Sequence, residues 1–380
     1  MLQMNAISRE FQIFAKPIGS FCNLQCSYCY YSGENKIYGE SPGNRMDDNL
    51  LEMYIVQHIE ATTENVVMFS WHGGEPILAG IDFYRKAVEF QKKYLPSGKN
   101  LINGIQTNGT LLNDEWCKFF SEENFLVGIS IDGPEEFHNQ FRLKQNGKGT
   151  FNDVVNGYRL LQKYGVTAEI LCVVNSSNAR FPLEIYRFFK TLNVRYITFL
   201  PLVERKHGSE SEVTGKSVSA EAFGNFLIRI FDEWVESDIG KITVQIFEEA
   251  LRSAFDEEHT LCIFKKNCGG VPVIESNGDF YLCDHFVNKE HLLGNISENP
   301  VSHFLDCEKQ KAFGEAKSLT LPNYCRNCYV LSMCNGECPK NRFIETPDGE
   351  PGLNYLCAGY KMFFEHCRPF IESIKLAVKN

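Results

Sequence analysis

Residues 20–32 read SFCNLQCSYCYYS and set Cys22, Cys26 and Cys29 in a C-x3-C-x2-C spacing interleaved with tyrosines. Three thiols this close can hold a metal, form a bridge or pack as inert core. A structural zinc site closes with four ligands, and no fourth is evident nearby. A four-iron cluster held by three protein thiolates keeps one iron open to an exogenous ligand, and that is the reading the spacing favours.

Working outward, the motif follows the apolar run FQIFAKPI (11–18). Comparable runs are NVVMFSWHG (65–73), NLINGIQTNG (100–109), FLVGISIDG (125–133), AEILCVVN (168–175) and RYITFLPLV (195–203). Short apolar runs, most ending in Gly, Asn or Asp, are the signature of buried parallel strands. Helical patterns lie between them. TFNDVVNGYRLLQKYG puts Phe151, Val154, Val155, Tyr158 and Leu161 on one face, with Thr150 as N-cap candidate and Gly165 as terminator. Six strand–loop–helix units predict a partial parallel α/β barrel with its chemistry at the C-terminal strand ends. A doubly wound open sheet is the alternative. The cysteines, HGGEP, QTNGT and SIDGP follow successive strands, which favours a barrel wall. Beyond a polar loop (204–218), two helices are predicted, the second with a start that also reads as strand. A cysteine-rich region runs from Cys262 to Cys357, and the closing helix carries a Tyr360, Phe363, Phe364, Cys367, Ile371 and Ile374 stripe with a kink expected at Pro369.

A chain of 380 residues has room for two domains or a barrel with an addition. The formal charge of -10 argues against a nucleic-acid binder. The start, MLQMNAISREFQIF, lacks a basic-then-apolar leader, and no apolar run reaches the length of a membrane span. A cytoplasmic protein is expected. The 15 cysteines are odd in number and fall in tight C-x2-C and C-x3-C spacings, which suits thiolate ligation better than a disulfide framework.

With these features together, the sequence resembles the radical S-adenosylmethionine superfamily, whose signature is C-x3-C-x2-C after the first barrel strand. The resemblance implies S-adenosylmethionine chelated to the open iron of a 4Fe-4S cluster on Cys22, Cys26 and Cys29, and cleaved to a 5′-deoxyadenosyl radical. Tyr28 is implied to pack near the adenine. Gly73, Gly74 and Glu75 of HGGEP are implied to meet the cofactor's amino group, the glycines admitting close backbone approach. Ser130 and Arg142 match positions contacting its polar groups, with the arginine suited to a carboxylate. Val203 is a further carry-over near the adenine.

Eight more thiols lie in Cys262-x5-Cys268-x14-Cys283 and Cys325-x2-Cys328-x5-Cys334-x3-Cys338-x18-Cys357. They suffice for two clusters or two zinc ions, and spacing alone does not pair them. CGGVPVIESNGDFYLCDHFV, LGNI, CRNCYVLSMCNGECPKNRF and GLNYLCAGYK narrow the resemblance to anaerobic sulfatase-maturating enzymes with a C-terminal SPASM domain. That pattern implies one auxiliary cluster on Cys262, Cys268, Cys283 and Cys338, and another on Cys325, Cys328, Cys334 and Cys357, making three 4Fe-4S clusters. The implied layout is a radical SAM partial (β/α)6 barrel over 1–218, a helical linker over 219–259, the SPASM domain over 260–357 and a terminal helix over 358–380. Cys117, Cys172 and Cys367 read as buried inert thiols, and Cys307 gives no signal.

The family places its catalytic base at Asp284, beside Cys283, with His285 a weaker candidate. Tyr31 and His72 match substrate-side positions, although some members carry glutamine where His72 stands. The implied reaction removes a β-hydrogen from a cysteine or serine in an unfolded or nascent sulfatase. Loss of a proton and an electron then gives the aldehyde from serine or a thioaldehyde from cysteine, which water converts to formylglycine with release of sulfide; a flavodoxin or ferredoxin is the implied reductant. The competing readings are another SPASM peptide maturase forming thioether or carbon–carbon crosslinks, and a non-enzymatic electron carrier or zinc-stabilised module. A carrier has no need of the glycines and arginine at the strand ends.

Overall fold

A computed structural model describes residues 10–32 and 45–379. Part of the amino-terminal stretch examined for a leader, residues 1–9, lies outside them. In chain order the first elements are β1 (Phe14–Ala15), α1 (Asp48–Ala61), β2 (Val66–Trp71), α2 (Ile81–Tyr94), β3 (Asn100–Thr107), α3 (Asp114–Glu122) and β4 (Leu126–Ser130). They continue with α4 (Glu135–Phe141), α5 (Phe151–Lys163), β5 (Ala168–Val174), α6 (Pro182–Thr191) and β6 (Tyr196–Pro201). The six strands fall inside the six apolar runs. Next come α7 (Ala220–Ser237), β7 (Thr243–Val244), α8 (Gln245–Ala254), β8 (Val273–Ile274), β9 (Asp279–Tyr281) and β10 (Leu292–Asn295). The ambiguous start of the second late helix is strand, because Thr243 and Val244 pair in parallel with Tyr196 and Ile197.

The described residues form two compact units, each assembled from segments far apart in sequence. Of the described residues, the first takes in 10–32, 45–130, Phe141–Ala168 and Gly269–Gly314; the second takes in Ile131–Gln140, Glu169–Cys268 and 315–379. In the first, the strand order is β10-β9-β8-β1-β2-β3-β4, with β8, β1, β2, β3 and β4 mutually parallel. Val67, Phe69 and Trp71 of β2 are fully buried, as expected of a strand inside a parallel sheet. Trp71 packs edge-on against Phe83 and Tyr84 of α2, at 5.9 and 5.6 Å between centroids. In the second, β5, β6 and β7 are parallel, and Phe231 and Trp234 of α7 meet Phe247 of α8 and Phe370 of the closing helix. That helix, Cys357–Lys379, runs through Pro369 without a break.

Local signals explain most boundaries. Asp47, Asn113 and Ser219 cap α1, α3 and α7, each accepting from the amide three residues on. Thr150 departs from expectation. It stands at the α5 N-cap but its side chain makes no capping bond there; its hydroxyl donates to the Arg142 carbonyl at 2.8 Å. Gly165 ends α5 in a left-handed turn. Cys117, Cys172 and Cys367 are fully buried, while Cys307 is partly exposed. Among the described residues no helix is long and apolar enough to cross a membrane.

Candidate active site and cysteine-rich centres

The C-x3-C-x2-C loop begins just past β1 and is held by backbone on two sides. The Gly74 amide donates to Gly19 O and the Glu75 amide to Phe21 O, both at 2.9 Å. On the other side Leu24 bridges Lys144, and Gln25 and Ser27 donate to Leu143 and Phe141. A β-carbon on Gly74 would lie 2.1 Å from Phe21 O, and one on Gly73, whose φ is +121°, would lie 2.6 Å from Gly19 O. The close approach these glycines permit is therefore to the chain's own cysteine loop. Around Cys22 Sγ stand the Leu24 amide at 3.4 Å and the Asn108 amide group at 3.7 Å. Burial pushes the Cys22 thiol up to about 12, with Glu75, Cys26 and Cys29 adding to the effect. A thiolate here needs compensating positive charge, which a metal supplies.

Glu75 is fully buried. Its carboxylate accepts from Thr107 Oγ1 at 2.7 Å, the Asn108 amide at 2.7 Å and the Ile77 amide at 3.1 Å. Burial raises its pKa to about 7 against those donors. The side chain expected to offer an acceptor to a cofactor is thus engaged in fixing the HGGEP turn to the end of β3. The Arg142 guanidinium carbon stands 5.4 Å from the Tyr28 ring centroid, and Phe141 lies 5.5 Å from the same ring. Ser130, at the end of β4, accepts from Gln106 at 3.2 Å. Val203 belongs to the second unit, where it is buried and its carbonyl accepts from Lys340.

Asp284 sits in the first unit with Tyr31 and His72. Its carboxylate meets Lys16 Nζ at 2.9 Å and accepts from Tyr30 Oη at 2.6 Å and Tyr31 Oη at 3.2 Å. Lys16 also pairs with Glu275 at 3.1 Å, and only 1% of Lys16 is exposed. Burial works against charge on Asp284, but Lys16 above all, then His285 and the Tyr30 hydroxyl, hold the carboxyl well below the usual range. The pairing with Lys16 favours its ionised form. His72 stacks on Phe14 at 3.7 Å, and burial lowers its pKa to about 4, so its ring is neutral.

The second unit holds Cys325, Cys328, Cys334 and Cys357 around one small cavity, which Tyr324 and Lys361 also line. Burial, then Cys357, pushes the Cys334 thiol up to about 12; burial, then Cys325 and Cys328, brings Cys357 to about 11. Cys262, Cys268 and Cys338 belong to this unit too, and Cys283 to the first. Among the described residues no three His, Cys, Asp or Glu side chains are drawn together around a single ion. Four soft donors walling a cavity suit an iron–sulfur cluster.

The profile of the Radical SAM superfamily matches residues 17–178, and that of an iron–sulfur cluster-binding domain, SPASM, matches residues 262–329. A serine-type anaerobic sulfatase-maturating enzyme of Bacteroides thetaiotaomicron is 46% identical over 98% of this chain and 93% of its own. The chain belongs to the anaerobic sulfatase-maturating enzyme family. A cysteine-type member of that family from Clostridium perfringens is 33% identical over 97% of this chain and 99% of its own. The solved structure of native anSMEcpe with bound AdoMet and Cp18Cys peptide superposes with a TM-score of 0.87 at 31% identity, covering 97% of this chain and 100% of that one.

For this member of the sulfatase-maturating family, the sequence singles out the cysteine loop and HGGEP by motif and Asp284 by resemblance. The reading missed Lys16, Glu275 and Tyr30, which define the electrostatics of Asp284. A signal existed: Lys16 is a charge inside FAKPI, and Glu275 a charge directly after an apolar pair.

Proposed function

We propose that this chain oxidises a serine or cysteine side chain of a sulfatase polypeptide to formylglycine, with Asp284 as the base. The observation that carries the reading is a buried carboxylate, kept ionised by Lys16 and ringed by two tyrosine hydroxyls, in the same unit as the C-x3-C-x2-C loop. When bound, S-adenosylmethionine and the iron–sulfur clusters supply a 5′-deoxyadenosyl radical and a destination for the departing electron. The residues for the first cluster are Cys22, Cys26 and Cys29. Tyr28, the Gly73–Glu75 backbone, Ser130, Arg142 and Val203 are assigned to the nucleoside cofactor. Two auxiliary clusters are assigned to Cys262, Cys268, Cys283 and Cys338, and to Cys325, Cys328, Cys334 and Cys357.

The chain's own part is to place the substrate and take its proton. A hydroxyl or thiol on a carbon that has lost a hydrogen atom is far more acidic than its parent, so a weakly basic carboxylate suffices. Tyr30 is 58% exposed although its hydroxyl reaches Asp284. It is the donor that yields to the substrate's heteroatom, while Lys16 and Tyr31 keep the carboxylate aimed. His72, neutral and stacked, forms an apolar wall that leaves the proton with Asp284. A low-potential flavodoxin or ferredoxin in the cytoplasm is the proposed reductant.

The test is anaerobic reconstitution with serine and cysteine versions of a sulfatase-derived peptide, following 5′-deoxyadenosine and peptide mass together. Serine is tried first because the relative with the highest identity cited above is serine-type. Asp284→Asn is expected to keep cofactor cleavage while formylglycine falls about a hundredfold. Unchanged formylglycine in a variant with full iron content would remove Asp284 from the mechanism.

A further inference from the structure

Between Cys334 and Cys338 the backbone does something costly. Asn335, Gly336 and Glu337 all have positive φ, at 46°, 70° and 51°. This is left-handed backbone, which residues with a β-carbon avoid and which persists only where surroundings impose it. Had the short helix Leu331–Cys334 continued, Cys338 would stack over Cys334 on one helical face, four residues on. The left-handed turn breaks that stacking.

Arg342 imposes the turn. Its Nε donates to Gly336 O at 2.8 Å, and its Nη2 to Asn335 O at 2.9 Å and Glu337 O at 3.2 Å. One guanidinium thus gathers three successive carbonyls, and its Nη1 takes a fourth, Lys317 O, at 2.6 Å. A β-carbon at Gly336 would lie 2.5 Å from Arg342 Nη2. Lys317 is itself 1% exposed, with Nζ on the carbonyls of Cys262 and Ile263 at 3.0 and 2.7 Å.

Both cations therefore end on neutral carbonyls, and among the described residues neither makes an ion pair with a carboxylate. Glu337, the last residue of the turn, is buried, and its carboxylate accepts from Asn341 and Asn354. Lys317 is buried and Arg342 half-buried, and a cation drawn out of water without counter-charge is strongly unfavourable. The groups they hold in place are the chain segments at Cys262, Cys334 and Cys338.

We propose that Arg342 and Lys317 form a cationic brace for the auxiliary cysteines. Arg342 holds the turn that divides Cys334 and Cys338 between two clusters, and both cations balance the negative charge of thiolate-ligated iron. This rests on the two-cluster assignment made above. An ammonium cannot span three carbonyls as a planar fork does, so Arg342→Lys keeps the charge and loses the clasp.

Full-length wild type, Arg342→Gln and Arg342→Lys are reconstituted anaerobically. Iron and sulfide are counted, the auxiliary midpoint potential is followed by paramagnetic resonance during reductive titration, and 5′-deoxyadenosine formation reports the first cluster. Arg342→Gln is expected to lose auxiliary iron about twofold and to shift the remaining midpoint downward, with the first cluster retained. Arg342→Lys is expected to lose iron while keeping its midpoint near wild type, and it decides the matter if the glutamine variant does not fold. Wild-type iron and midpoint in a folded Arg342→Gln, or wild-type iron in Arg342→Lys, would overturn the brace alone. Zinc in the wild-type sites would overturn the two-cluster assignment and the brace with it.

Discussion

Lys16 and Glu275 are each the first residue beyond a short strand, β1 and β8, and those strands are parallel with Ala15 opposite Ile274. Register therefore delivers an ammonium and a carboxylate side by side, and Asp284 completes the triplet. Replacing Lys16 by Met would leave two buried carboxylates without their cation. Losing one partner of such an arrangement costs about 3–5 kcal/mol, so the Lys16→Met denaturant midpoint is expected to fall sharply. An unchanged midpoint would show that the pair is not formed in solution. Here the sequence was only half legible. Asp284 stood out through the family resemblance, whereas Lys16 and Glu275 become meaningful only once a register between positions 259 residues apart, Ala15 and Ile274, is known. Neither strand is long enough to announce that pairing.

At the scale of elements, the HGGEP turn and the cysteine loop are one device. The turn's amides hold the loop, and Glu75 anchors the turn to β3. Gly74→Ala cannot be relieved by a side-chain shift, because the β-carbon meets backbone at 2.1 Å. Loss of iron from the first cluster and about a tenfold fall in 5′-deoxyadenosine formation are expected, with auxiliary iron retained. A separate element contact sets a pH dependence in the second unit. His259 Nδ1 lies 2.7 Å from Glu249 Oε2, following α8. Burial opposes the histidine's charge, but Glu249 and the Ser332 carbonyl raise its pKa above 6.5. Burial likewise opposes charge on Glu249, which His259 and Thr260 nevertheless lower below 4.5. The histidine contributes fully below 6.5 and is lost as pH rises through its folded value; the glutamate contributes above 4.5 and is lost as pH falls. Stability in excess of a His259→Gln variant is expected to be greatest between these limits and to shrink above neutrality, as read from urea midpoints. A difference that grows with pH would contradict the pairing.

For the whole molecule, the motifs gave the order of functions along the chain, and the strand runs gave six of the parallel strands. What they did not give is that the compact units interleave in sequence. Residues 269–314 return to the first unit, where β8 pairs with β1. The reason is physical: β8 has two residues and β1 two, too few to leave an alternating pattern in sequence. The consequence is testable. A chain ending at residue 218 contains every motif of the radical domain, yet it lacks β8, β9 and β10. β1 would become an exposed edge with unpaired amides and carbonyls. Lys16 would lose both of its carboxylates. The backbone bonds that Gln12, Phe14 and Lys16 donate to 270, 272 and 274 would go as well. Such a fragment is expected to expose apolar surface and to show fast amide exchange through β1 and the cysteine loop, even with iron supplied. Adding residues 269–314 back as a separate peptide should restore protection at β1, since that segment supplies the missing strands. Native-like protection in the 1–218 fragment alone would mean that the cysteine loop is held by HGGEP without support from β8.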